Sequence, residues 1–265
     1  MGQLGRSRRT GTIRAKFMAD PEKLTVKLFE GVRKAPFIKN IYAGGFWTAI
    51  VAEDNSIYTF GLNNFGHLGV PVTETLKEET ESGEEKEKKD GEATTGDSNA
   101  PPKEDDRDFR VYRPTKVESY VDGAEWTHLC GVQHIVGRNT DGTVYAIGKN
   151  TDNALGLGTW NGNDDEEHWR YTSMQKVELP VKAVGVAATL GGSIAWTEDG
   201  KSFSWGCDTS GQLGLGIKDD DDKVVPRPTP ISSAHLDHYT ILSVSMADNH
   251  ALFLARKNPE NVVAP

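Results

Sequence analysis

The sequence predicts an all-β repeat fold whose units are the blades of a propeller. Three observations carry that reading. First, one glycine-spaced phrase occurs three times, as YTFGLNNFGHLG from Tyr58, YAIGKNTDNALG from Tyr145 and FSWGCDTSGQLG from Phe203. Second, each copy is preceded by two short apolar runs with an acidic or glycine turn between them, which is the pattern of a hairpin. Third, the copies are separated by 58 residues from Gly148 to Gly206 and by 87 from Gly61 to Gly148, the longer interval being stretched by a charged insertion. Without that insertion the period falls to about 50, in the range of propeller blades.

In chain order, a GQLG at Gly2 to Gly5 matches the tail of a further copy, and a basic run follows it with Arg6, Arg8, Arg9, Arg14 and Lys16. The first full unit reads AGGFWTAIVAEDNSIYTFG and runs into the phrase bounded by Gly61 and Gly69. Residues 1–71 are therefore taken as a basic inter-blade loop and the first complete phrase. Residues 72–108 are rich in Glu, Lys, Asp, Gly and Thr and nearly lack large apolar groups. Such a composition does not repay the entropy of ordering, so the segment is expected to be a disordered acidic insertion at one blade junction. Residues 109–265 hold the remaining repeats. CGVQHIVGRNTDGTVYAIG leads into the phrase bounded by Gly148 and Gly156, and LGGSIAWTEDGKSFSWG into the one bounded by Gly206 and Gly214. SVSMADNHALFLARK starts a fourth unit that has no glycine phrase. The chain thus contains about four units, the outer two incomplete.

Charge and composition narrow the function classes. A formal charge of −9 argues against a body that is mainly a nucleic-acid-binding surface. Two cysteines, Cys130 and Cys207, are too few for a disulfide framework. No apolar run is long enough to span a bilayer, so no membrane is expected among the partners. Shorter acidic loops at Asn161 to Glu167 and Asp219 to Lys223 follow the second and third phrases at corresponding places. They read as solvated edges whose charge can steer a basic partner.

Candidate chemistry is sparse. His235 and His238 lie three apart beside Asp237, but two ligands do not make a metal site. No nucleophile elbow accompanies Cys207, and the phrases lack the Lys-Ser/Thr of a phosphate loop. No enzyme, cofactor or metal is expected. Trp126, Trp196 and Trp205 sit in strand contexts and are expected to pack between blades, while Trp160 and Trp169 flank an acidic loop as candidate exposed anchors.

The repeat resembles that of the regulator of chromosome condensation family, GxxHTxxLxxDGxVYxWGxNxxGQLG, over nearly the whole chain outside the insertion. The resemblance implies a seven-bladed propeller, of which this chain would be the C-terminal part, an open arc with two uncovered apolar sides. It also implies guanine-nucleotide exchange on the small GTPase Ran by a nuclear, chromatin-associated protein. His134 and His250 stand at the histidine of the motif, with Trp47 and Gly192 at the same position in the other units. In the family, histidines of these late blades face the GTPase, so His134, His250 and Trp47 are the candidate Ran contacts. The alternative is that such a histidine merely ties one strand end to the next. Arg6, Arg8, Arg9 and Arg14 fall in a stretch that the family associates with the acidic patch of core histones, and they are the candidate nucleosome and DNA-phosphate contacts. The family's nucleotide-displacing wedge corresponds to a blade before this chain's first residue, so the chain alone is expected to exchange poorly. A non-catalytic propeller scaffold for protein or chromatin is the competing expectation.

Overall fold

Among the described residues, fourteen strands form four antiparallel sheets in chain order. The computed structural model describes residue 29 and residues 31–71, 109–118 and 120–259. The basic cluster at Arg6, Arg8, Arg9 and Arg14 and the acidic insertion at 72–108 lie outside the described residues.

The first sheet contains β1 (Ile38–Ala43), β2 (Trp47–Ala52), β3 (Ile57–Leu62) and β4 (Arg110–Lys116). The second contains β5 (Trp126–Cys130), β6 (His134–Asn139), β7 (Val144–Lys149) and β8 (Arg170–Val177). The third contains β9 (Ala183–Ala188), β10 (Gly192–Thr197), β11 (Ser202–Cys207) and β12 (Val224–Pro230). Two strands, β13 (Tyr239–Ala247) and β14 (His250–Lys257), make the fourth. A 3-10 turn at Thr151–Asn153 interrupts the strands after β7.

Strands within a sheet follow one another by hairpins, and the turn residues explain why. Asn55, Gly142 and Gly200 take φ of 63°, 80° and 81° between the second and third strands, the left-handed region that Asn and Gly tolerate. The first strands of successive sheets lie side by side, β1 by β5, β5 by β9 and β9 by β13. This is the arrangement of propeller blades around an axis.

Side chains alternate between the two faces of a strand, and here both faces are covered. Trp47, Ala49 and Val51 of β2 pack with Trp126, Leu129, Ile135 and Ile147 in a first seam between sheets. Ile50 and Ala52 turn the other way, to Phe29, Tyr58 and Phe60. A second seam joins Val136, Val144 and Ala146 to Val186, Ala195 and Trp205. In the third, Ala187, Ile194 and Trp196 meet Ile241, Val244 and Phe253. The expected packing of Trp126, Trp196 and Trp205 between sheets is what the structure has. Beyond the fourth sheet the alternation continues without a cover among the described residues. Leu252 and Leu254 are 67% and 63% exposed, whereas Ile194 and Trp196 at the corresponding places of β10 are buried under the next sheet.

Candidate protein-binding face

Hairpin connectivity sorts the loops onto two ends of the sheets. The turn between first and second strands and the long connection between third and fourth strands share one end. That end carries all three glycine phrases. It also carries the start of every second strand, namely Trp47, His134, Gly192 and His250. The pairing confirms the equivalence of three of them, because Trp47, His134 and Gly192 stand opposite Gly61, Gly148 and Gly206, the first glycine of each phrase.

A side chain two residues after that glycine organises each phrase. Asn63 accepts from the Leu68 N–H at 2.9 Å and donates to the Val70 carbonyl at 2.9 Å. Asn150 accepts from the Leu155 N–H at 3.2 Å and donates to the His168 carbonyl at 2.9 Å. Asp208 accepts the same bond from the Leu213 N–H at 2.7 Å, but its second oxygen is buried without a partner. A carboxylate oxygen therefore sits where the other phrases place an amide donor. Asp208→Asn is expected to raise the unfolding free energy by about 1–2 kcal/mol, read as a shifted urea midpoint at unchanged slope, since it converts an orphan acceptor into a bonded donor.

The candidate residues on this face differ sharply in access. Trp47 is 1% exposed and its indole nitrogen has no partner among the described residues. His134 is fully buried, with Nε2 3.0 Å from the Ser193 hydroxyl of the next sheet. Burial pulls its pKa down to about 4, and the nearby Lys149 ammonium acts in the same direction. It is neutral at physiological pH and ties one sheet to the next. His250 is exposed at the start of β14. Of the three, His250 alone offers its side chain to a partner without rearrangement.

Acidic groups occupy the connections at the same end. Asp164, Glu166 and Glu167 are exposed after the second phrase, and Asp219, Asp220, Asp221 and Asp222 after the third. Trp160 and Trp169 are half-buried rather than free. Trp169 meets Phe65 edge-on at 6.4 Å and carries the Arg170 guanidinium 4.5 Å above its ring, while the Lys149 ammonium lies 5.5 Å from the Phe65 ring. This aromatic and basic cluster spans two sheets, and sequence reading did not assemble it. Reading the repeat also passed over His67, which is 1% exposed and occupies the place of Ala154 and Gln212 in the other phrases. An imidazole where its counterparts are aliphatic and amide was the available signal.

Other sites remain chemically quiet. His235 and His238 are exposed, and no group of three metal-type ligands occurs among the described residues. Burial pushes the Cys130 thiol up to about 12 and raises that of Cys207, so neither is a thiolate at neutral pH. A cleft of about 460 Å³ opens beside β5, β9 and β13, with His128, Arg138, Trp196 and Met246 in its wall. Arg138 is engaged there, donating through Nε to the Ala183 carbonyl at 2.6 Å and through a terminal nitrogen to Thr127 at 2.8 Å.

With this geometry in place, comparison with known proteins locates the chain. Residues 199–254 match the family described as the Regulator of chromosome condensation (RCC1) repeat. The chain is 26% identical over 221 residues to the regulator of chromosome condensation of Xenopus laevis, covering 83% of this chain and 41% of that protein. It is 28% identical over 241 residues to the ultraviolet-B receptor UVR8 of Arabidopsis thaliana, covering 90% of this chain and 42% of the receptor. Among solved structures it matches Prp20p from Saccharomyces cerevisiae, a structure reported together with its binding properties to Gsp1p and histones. That match has a TM-score of 0.68 and 20% identity, over 98% of this chain and 50% of Prp20p. The fold is that of these propellers, and the chain spans about half the length of the relatives it matches.

Proposed function

We propose that this chain, which belongs to the regulator of chromosome condensation repeat family, is part of a nuclear, chromatin-associated guanine-nucleotide exchange factor for Ran and supplies a portion of its GTPase-binding face. The reading is carried by one observation. Over 98% of its length the chain follows the fold of a protein described by its binding to Gsp1p and histones. The acidic rim formed by Asp164, Glu166, Glu167 and Asp219 to Asp222 lies on the same end as His250 and suits a basic partner surface.

Exchange of this kind makes and breaks no covalent bond. A factor that binds the nucleotide-free GTPase more tightly than the loaded form must lower nucleotide affinity by the same ratio, by linkage. What it needs is a rigid face with donors and acceptors already in place. The phrases provide rigidity through Asn63, Asn150 and their backbone bonds, and His134 and Trp47 hold the face from beneath. His250 is the side chain proposed to touch the GTPase. Binding is tested by titrating the chain with nucleotide-free Ran and with Ran bound to GDP, following release of a fluorescent nucleotide. Tighter binding to the empty form is expected, with slow release. His250→Ala should weaken that binding about tenfold, or ~1.4 kcal/mol, with the melting temperature unchanged. Equal affinity for both forms, or no effect of His250→Ala, would refute the reading.

A second reading, a propeller scaffold that does not act on Ran, is favoured by a specific observation. Two of the three candidate contacts, Trp47 and His134, are sealed in the interior, and the match to a receptor of the same repeat covers 90% of the chain. A folded sample that ignores Ran but binds nucleosomes through Arg6, Arg8, Arg9 and Arg14, with the salt dependence of charge pairing, would select it.

A further inference from the structure

Lys149 and Arg170 stand directly opposite each other where β7 pairs with β8. Opposite residues of an antiparallel pair share a face, so two cations are set side by side at this end of the second sheet, an arrangement that costs stability. The corresponding pairs are Leu62 with Arg110 in the first sheet and Cys207 with Val224 in the third, neither of which opposes like charges. Among the described residues neither Lys149 nor Arg170 has a carboxylate within ion-pair distance, although the chain carries a net charge of −9.

What holds the two cations is uncharged. Lys149 Nζ donates to Gln133 Oε1 at 3.0 Å and lies 5.5 Å from the centre of the Phe65 ring. The Arg170 guanidinium stacks 4.5 Å above Trp169 and donates through a terminal nitrogen to the Asn64 carbonyl at 3.4 Å. Phe65 and Trp169 meet edge-on, so their rings make one floor beneath both charges. A ring face fixes the direction of a cation without neutralising it, and a stacked guanidinium keeps N–H donors at its rim. All four side chains are half-buried, so solvent reaches them while much of their rotamer freedom is already lost.

We propose that Lys149 and Arg170 form a carboxylate-binding site, which takes one Asp or Glu side chain of a protein partner. The guanidinium offers paired N–H groups to the two carboxylate oxygens, and the ammonium adds a second charge from the opposite strand. Phe65 gives the stem of the incoming side chain an apolar rest. A polyanion such as nucleic acid is disfavoured, because the connection between β7 and β8 also carries exposed Asp164, Glu166 and Glu167, which repel further negative charge. The occupant is therefore a single carboxylate on an otherwise neutral or basic surface. The site lies on the end that carries His250, and it stands whether or not that partner is Ran.

The probe is a short end-blocked peptide with one central glutamate flanked by leucine and lysine, compared with its glutamine twin. Each is titrated into the full chain while the backbone amides of Gln133 and Trp169 are followed by NMR. The glutamate peptide is expected to bind about fivefold more tightly than its twin, the scale of a half-exposed charge-assisted pair. Arg170→Gln should abolish that preference, and Lys149→Gln should reduce it to about twofold. Both variants should keep a urea midpoint at or above that of the parent chain, since each removes a cross-strand repulsion. Equal affinity of the two peptides for the parent chain would overturn the proposal. So would a glutamate preference that survives both substitutions while the midpoint falls, which would make the pair a structural one. The two peptides against the parent chain decide by themselves if a variant does not fold.

Discussion

Trp205→Ala is expected to lower the unfolding free energy by about 3–5 kcal/mol, the range for truncating a fully buried large aromatic side chain. Trp205 is 0% exposed at the second seam, between Leu155 and Leu213 of two successive phrases. Its indole nitrogen donates to the Ala154 carbonyl at 3.1 Å, and its ring lies so close to Gly156 that a methyl there would come within 2.8 Å of it. Truncation therefore empties a large volume that the flanking strands have no freedom to close, and it strips a donor from a buried carbonyl.

Position multiplies the consequence. Stacked repeats touch only their neighbours, so stability is a sum of units and the interfaces joining them. The second seam is central, with the first two sheets on one side and the last two on the other. Weakening it should split unfolding in guanidinium into two transitions, or broaden the single one. Trp205→Phe refills most of the volume and leaves the carbonyl short, so it should cost about 1–2 kcal/mol and keep one transition. A loss below 1 kcal/mol for Trp205→Ala would mean that the sheets are not held together at this seam.

Much of this architecture was legible because a repeat prints its own register. Placing Trp47, His134 and Gly192 at one repeat position needed only counting within each unit, and the strand pairing sets all three opposite the first glycine of their phrase, Gly61, Gly148 and Gly206. The hairpin turns at Asn55, Gly142 and Gly200 were readable from residues that tolerate positive φ. Outer strands were not. β4 and β12 contain Pro114, Pro226, Pro228 and Pro230 amid polar residues, which looks like loop sequence until an edge position explains it. An edge strand leaves alternate amides unpaired, so proline costs it little.

The site was less legible than the fold, for a reason of distance. His134 meets Ser193 from 59 residues away, and Trp205 meets Ala154 from 51. These contacts exist only once sheets stack, and nothing local to His134 says whether its ring faces water or the next sheet. The same repeat position is buried in the second sheet and exposed in the fourth, where no further sheet covers His250 among the described residues. A motif position alone therefore does not decide between partner contact and structural tie.

The other large effect is expected from a single methyl group. Gly61→Ala should cost about 4 kcal/mol, with 1–3 kcal/mol from a backbone conformation that L-residues avoid and a comparable amount from overpacking. The first glycines of the three phrases, Gly61, Gly148 and Gly206, have φ of 127°, 110° and 99°. At Gly61 the added carbon would collide with the Phe46 carbonyl oxygen and stand 2.7 Å from Trp47 Cα. These are backbone atoms at the start of β2, so no rotamer relieves the clash and the strand itself must move. Trp47 would be drawn out of register with Trp126 and Ile135, and the first seam would loosen with it. Gly211→Ala supplies the control: φ there is also positive, at 73° in the left-handed helical region, and nothing lies within 4 Å of the new carbon, so only about 1 kcal/mol should be lost. The two variants, compared by urea midpoints against the parent chain, separate backbone conformation from close approach. Equal losses would mean that the phrase needs glycine for its dihedral angles alone. A gap of about 3 kcal/mol would mean that glycine is there because the second strand passes too close for any side chain.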